Sequence, residues 1–214
     1  VKMVEEVERV VGGGQLAVDG NKNGKKETKP IEISDKVVLV YCWRGGMRSA
    51  GMAWLLDLYG FKVYTLVGGY KSYRNWVLKQ FEKEYPFKII GGYTGSGKTE
   101  VLHALAQQGE TIIDLEGLAC HRGSAFGNLG QPQQPKQEMF ENLLANALAV
   151  ASANNSTIWL EDESQRIGEV NIPISIFKYM RTCRVYFLDI PFEERLNYIV
   201  KGYGSFDKEK LINA

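Results

Sequence analysis

No stretch of this chain approaches the roughly 20 consecutive apolar residues that span a bilayer, so no membrane association is expected. The N-terminus, Val1-Lys-Met-Val-Glu-Glu-Val-Glu-Arg9, lacks the apolar core of a signal peptide and carries too many acids for a transit peptide. It also lacks a starting methionine, which makes a fragment the expectation. Cysteine is scarce. Cys42, Cys120 and Cys183 form no C-x-x-C pair, which argues against a disulfide framework or a zinc site and for a reducing cytoplasm. Net charge is only +1, from 26 basic and 25 acidic residues, so nucleic-acid binding must come from local patches. There is no internal repeat and no low-complexity tract. What remains is ordinary: 214 residues, 44% apolar and 24% charged, enough for one large or two small domains with a substantial core.

The pattern along the chain is α/β. Val4, Val7, Val10 and Val11 fall on one side of a helix over residues 1–12, and Asn21 to Pro30 reads as a lysine-rich solvated loop. Val37–Tyr41 is a continuous β-branched run, expected as a strand buried on both faces. A helix over 47–59 follows, stopped by Gly60, then a strand over Lys62–Val67 and a helix to about Glu84. That order predicts a parallel sheet, and Pro86 marks a boundary between domains at 1–84 and 85–214. The second domain restarts with a strand at Phe87–Gly91, a glycine loop, a helix over Lys98–Gln108 and a strand at Thr111–Asp114. Residues 115–135 are polar, glycine-rich and aperiodic, as functional loops are. A helix over Glu138–Ala153, strands at Thr157–Leu160 and Cys183–Asp189, and a helix after Pro191 complete the pattern.

Two anion-cradling loops stand out. In Cys42-Trp-Arg-Gly-Gly-Met-Arg-Ser49 a cysteine ends a strand at the mouth of a helix, where backbone N–H groups and the helix N-terminus favour a thiolate. Gly45 and Gly46 let the backbone curl around the sulfur, and Arg44 and Arg48 add positive charge. Such a thiolate can attack an activated sulfur or selenium donor. The separation of Cys42 and Arg48 also matches the cysteine-x5-arginine loop of thiol phosphatases, so the loop alone leaves that chemistry open. The second loop, Gly92-Tyr-Thr-Gly-Ser-Gly-Lys-Thr99, fits G-x-x-x-x-G-K-[ST] between a strand and a helix. Gly92, Gly95, Ser96 and Gly97 bring backbone amides to phosphate oxygens, Lys98 reaches terminal phosphates and Thr99 a magnesium ion.

Asp114, Glu161, Asp162 and Glu163 close or follow apolar strands and are candidates to hold a magnesium ion or orient substrate, while no set of residues makes a firm metal site. His121, Arg122 and Ser124 are candidates for phosphate or nucleobase contact, and Arg166, Lys71 and Arg74 for RNA. Cys120, Cys183, Trp54, Trp76 and Trp159 read as packing residues.

Cys42–Ser49 with Val67-Gly-Gly-Tyr-Lys71 resembles the C-terminal half of a rhodanese domain, in which the loop cysteine carries the transferred chalcogen. Adding Gly91–Thr99, Asp114-Leu-Glu-Gly-Leu-Ala119, His121–Gly127, Gln131-Pro-Gln133, Phe140–Leu144 and Leu160–Gly168, the chain is similar over roughly 36–200 to the tRNA 2-selenouridine synthase family. That resemblance implies a rhodanese-like domain joined to a P-loop domain, both cut short in this chain. It implies replacement of sulfur by selenium in a wobble 2-thiouridine of tRNA, through an S-geranyl intermediate, with selenophosphate and geranyl diphosphate as substrates and no tightly bound cofactor. Cys42 would carry selenium, Arg44 and Arg48 would steady the anionic donor, and Gly92–Thr99 would hold a diphosphate. The acidic run would hold magnesium or orient Arg166. A rhodanese–kinase fusion using ATP and a non-catalytic nucleotide-binding docking module are the alternatives, the latter disfavoured by an intact Cys42 with both arginines.

Overall fold

A computed structural model describes residues 37–124, 127–153 and 157–203. The helix read over 1–12, the lysine-rich loop before Pro30, and Ala125 and Phe126 lie outside the described residues. The chain divides into two compact units, 1–75 and 76–214. The division falls earlier than Pro86 because the stretch before that proline is tied to the second unit. Val77 and Phe81 are buried, Tyr85 stacks on Phe87, and Tyr179 donates to the Tyr85 carbonyl.

In the first unit, the apolar run makes β1 (Val37–Val40), paired in parallel with β2 (Lys62–Thr65) so that Val38 lies opposite Val63. Between them α1 (Met47–Leu58) brings Leu56, with Phe61, onto Val38, Val40 and Val63. Burial on both faces of β1 is not what the structure shows. Val37 and Leu39 are each 57% exposed, since strand residues alternate in direction and α1 covers one face only. After β2 the chain turns at two glycines into α2 (Gly69–Gln80), shorter than the sequence pattern indicates.

The second unit is built on β3 (Phe87–Gly92), whose Phe87, Ile89 and Ile90 are buried between neighbours on both sides. Then come α3 (Lys98–Gln107), β4 (Thr111–Ile112), α4 (Leu115–Ala119), α5 (Gln137–Ser152) and β5 (Ile158–Glu161). A short antiparallel pair, β6 (Arg166–Ile167) and β7 (Val170–Asn171), leads to α6 (Ile174–Met180), β8 (Arg184–Leu188) and α7 (Phe192–Tyr203). The main sheet runs β4-β5-β3-β8, parallel throughout, with Ile89 opposite Leu160 on one side and Val185 on the other. Helix α3 packs against β3, β4 and β5, and α5, which packs against α4 and β7, buries Phe140, Leu144, Ala145 and Leu148 as a helical stripe.

Two sequence expectations change here, and a segment that carried no reading is structured. Residues 115–135 are not all loop, since Asp114 caps α4. The β6–α6 segment is structured although its strands are two residues long. Trp54 is 67% exposed and Trp76 is also exposed, so neither is core, and Cys120 and Cys183 are only half-buried. Trp159 is held at the sheet surface by Lys88 and Tyr186. Among the described residues no helix is long and apolar enough to cross a membrane.

Candidate functional site

Parallel strands end on the same side of a sheet, so β3, β4 and β5 deliver their following residues to one edge. From β3 comes Gly92–Thr99, from β4 Asp114 and Glu116, and from β5 Glu161, Asp162 and Glu163. The glycine loop depends on backbone shapes that side chains resist. Gly95 has φ +80, and a Cβ there would come within 2.8 Å of the Arg195 carbonyl on α7. Helix α3 begins at Gly97 with no side-chain cap, which leaves its first N–H groups for a bound anion. Lys98 Nζ donates to the Gly92 carbonyl at 3.3 Å, folding the ammonium back over the loop. Ser96 Oγ is buried with no hydrogen-bond partner. Behind the loop, an open pocket of ≈ 340 Å³ is lined by Gly95, Ile190, Glu194, Asn197, Tyr198 and Lys201 among others.

Beside Thr99 lie three carboxylates. Glu116, Glu161 and Glu163 each offer an oxygen within 4.8 Å of the others. Thr99 Oγ1 donates to Glu116 Oε2 at 3.4 Å, while Glu161 is fully buried and neither of its oxygens has a donor. Burial, and then the neighbouring glutamates, raise Glu116 to about 8; burial is also the main cause that takes Glu161 to about 7 and raises Glu163, with Lys98 pulling the other way in each. A buried, donor-poor set of carboxylate oxygens beside a threonine hydroxyl is a fit to a hard divalent cation such as magnesium.

Glu116 is the residue the sequence reading missed. Asp114 looked equivalent, but its Oδ1 accepts from Gly117 N at 2.7 Å as the cap of α4, and its Oδ2 faces His103 Nε2 at 3.1 Å. Asp162 pairs with Arg181, whose Nη2 also donates to the Glu163 carbonyl at 3.1 Å. Arg166 is therefore not the guanidinium against the acidic run; its Nε donates to the Gly168 carbonyl at 2.8 Å. The His121 segment does reach this site. Gly123, at φ +64, packs so closely that a Cβ would come within 2.6 Å of both Glu116 Oε1 and Glu163 Oε2. His121 Nδ1 accepts from Gly123 N at 3.1 Å, and burial lowers its basicity, so the ring shapes this loop. Arg122 is exposed and Ser124 half-buried on the same loop.

The thiol loop lies in the first unit. Cys42 Sγ accepts from Gly46 N at 3.3 Å and lies 3.4 Å from Ser49 Oγ, whose single proton can turn to the thiolate or to the Gly46 carbonyl at 3.0 Å. The Ser49 hydroxyl and then the Gly46 amide lower the Cys42 pKa from 9.0 to about 6, making it largely thiolate at neutral pH. Helix α1 starts at Gly46 without a side-chain cap, as α3 does at Gly97. An open pocket of ≈ 460 Å³ over the sulfur is lined by Cys42, Trp43, Arg44, Gly46, Met47 and Arg48. Cys42, Arg44 and Arg48 thus share one pocket.

The fold and the glycine loop define a P-loop-type α/β domain. Residues 85–214 match the family model described as the tRNA 2-selenouridine synthase AAA domain. Three bacterial relatives carry the name tRNA 2-selenouridine synthase. That of Cupriavidus pinatubonensis is 40% identical over 169 residues, 77% of this chain and 45% of the relative. That of Serratia proteamaculans is 42% identical over 167 residues, 77% and 44% of the two chains. That of Psychromonas ingrahamii is 32% identical over 201 residues, 93% and 54%. The chain belongs to the tRNA 2-selenouridine synthase family and spans about half the length of the curated relatives it matches.

Proposed function

We propose that this chain carries the reacting groups of a tRNA 2-selenouridine synthase, exchanging sulfur for selenium in a wobble 2-thiouridine. The observation that carries the reading is the Cys42 thiolate in its open, arginine-flanked pocket, on a chain that also holds a P-loop. In this reading the Cys42 half is rhodanese-like. Its thiolate takes the phosphoryl group of selenophosphate and so frees hydroselenide, Arg44 and Arg48 steady the anionic donor, and water then releases phosphate from the cysteine. Residues Gly92–Thr99 hold the diphosphate of geranyl diphosphate while the thiocarbonyl sulfur of the nucleoside takes its prenyl carbon. The S-geranyl group then leaves when selenium arrives at C2.

Thr99, Glu116, Glu161 and Glu163 would hold a magnesium ion, which supplies charge neutralisation to the leaving diphosphate. Lys98 approaches the same oxygens from the loop side. Gly123 packs directly against Glu116 and Glu163. In this reading the Arg122 and Ser124 side chains would meet the nucleotide.

The test is mass spectrometry of 2-thiouridine tRNA incubated with geranyl diphosphate and then selenophosphate. A geranyl mass gain followed by sulfur-to-selenium exchange is expected. Cys42→Ser is expected to abolish the exchange and spare geranylation; equal loss of both steps would overturn the division of labour. The pocket behind the loop, with Glu194, Asn197 and Lys201, favours one rival, an ATP-dependent transferase. ADP release in the same reaction, without a geranyl adduct, would select it.

A further inference from the structure

We propose that the aromatic, cationic face around Cys42 is a stacking platform for single-stranded RNA, with Trp43 and Tyr70 holding the bases that flank the reacting nucleotide. This rests on the reading above that the thiol serves an RNA substrate, and it assigns that substrate a place. Trp43 follows Cys42 directly, is 53% exposed and lines the same pocket as the sulfur. Its ring lies 5.7 Å from that of Tyr70. Tyr70 in turn lies 6.2 Å from Tyr41, nearly parallel, and 5.9 Å from Tyr73. The rings form one contiguous set that opens on the solvent side at Trp43 and Tyr41.

The platform is fixed relative to the sulfur by backbone. Tyr70 N donates to the Cys42 carbonyl and Lys71 N to the Trp43 carbonyl, both at 2.9 Å. Gly69 packs into the thiol loop so tightly that a Cβ would come within 2.2 Å of the Cys42 carbonyl oxygen. A base stacked on Trp43 therefore holds its neighbour over the ≈ 460 Å³ pocket where Sγ sits.

The charge around it suits a polyanion. Among the described residues of this unit the cations are Arg44, Arg48, Lys62, Lys71 and Arg74, and the one carboxylate is Asp57. Arg44 and Arg48 line the pocket, and Lys71 and Arg74 follow Tyr70 on α2. Asp57 lies near the far end of α1, about 15 Å along the helix from Met47 at 1.5 Å per residue. Exposed rings interleaved with cations are how proteins grip single strands, since every base has a face to stack and every linkage a charge to neutralise.

The experiment is fluorescence anisotropy of a labelled single-stranded oligouridylate with the 214-residue chain, its Trp43→Ala and its Trp43→Phe variants. Heparin, a polyanion without bases, is the control ligand, and iodoacetamide alkylation of Cys42 reports whether the loop is folded. The expected result is binding weakened about tenfold by Trp43→Ala and mostly restored by Trp43→Phe. Heparin binding and Cys42 alkylation should not change. If wild type binds the RNA and Trp43→Ala binds it equally, with alkylation intact, the platform is wrong and the proposed function stands. If heparin and RNA binding fall together, the ring acts through packing and the platform is again overturned. If wild type binds neither oligouridylate nor unmodified tRNA, the RNA-modifying reading falls with it, leaving the face to a protein partner.

Discussion

Cys42 owes its acidity first to the Ser49 hydroxyl and then to backbone amides led by Gly46 N, and the two kinds of donor can be separated. Ser49 contributes most to lowering the thiol to about 6, ahead of Gly46 N. The rate of Cys42 alkylation is expected to rise with pH through a midpoint near 6, and Ser49→Ala should move that midpoint up by about one pH unit. An unmoved midpoint would shift the credit to the backbone alone. The residues of both loops were legible because their chemistry is written in consecutive positions. Glu116 was not. Asp114 and Glu116 are two residues apart and equally acidic, and only the cap geometry of α4 shows that Asp114 is already engaged. Arg181, the partner of Asp162, was equally hidden, since it comes from the end of α6, nineteen positions further on.

At the scale of elements, the strands and long helices could be read because each is an unbroken apolar run or a stripe at helical spacing, as in Phe140, Leu144 and Leu148 of α5. The five-residue α4 and the two-residue strands β6 and β7 are too short to carry a period, so α4 read as loop and the two strands gave no pattern to read. The exposure of Val37 and Leu39 was not legible either, because β1 alone does not say which of its faces has a neighbour. The most testable contact between elements is the interlock of the two glycine turns. Gly69 has φ +64, and an added Cβ would lie 2.2 Å from the Cys42 carbonyl oxygen and 2.3 Å from Gly45 N, which are backbone atoms that cannot step aside. Gly69→Ala is therefore expected to destabilise the first unit by about 1–3 kcal/mol. It should also return the Cys42 alkylation midpoint toward that of an ordinary thiol; a stable variant with an unaltered midpoint would contradict the interlock.

For the whole molecule, a net charge of +1 hides an uneven distribution, with cations around Cys42 and three carboxylates crowded beside the P-loop. Glu116 at about 8 and Glu161 at about 7 bind protons more tightly when folded than their reference of 4.5. The folded state then holds more protons than the unfolded one between pH 4.5 and 8, so stability falls as pH rises through that window. Melting temperature is expected to drop from pH 5 to pH 8, and magnesium to restore it more at pH 8, where it competes with fewer protons. Glu161→Gln should flatten the pH dependence and reduce the magnesium effect. A slope that rises with pH, or is unaltered in the variant, would show that other groups dominate.

The interlocked turns also give the molecule an internal clock for its own assembly. In an unfolded chain Cys42 is an ordinary thiol near 9, and only the closed pair of turns holds Gly46 N and Ser49 in place to bring it to about 6. At neutral pH the cysteine is therefore slow to react until residues on both sides of β2 have come together. A brief pulse of alkylating agent during refolding would mark the chains in which the first unit has already closed, without any added label.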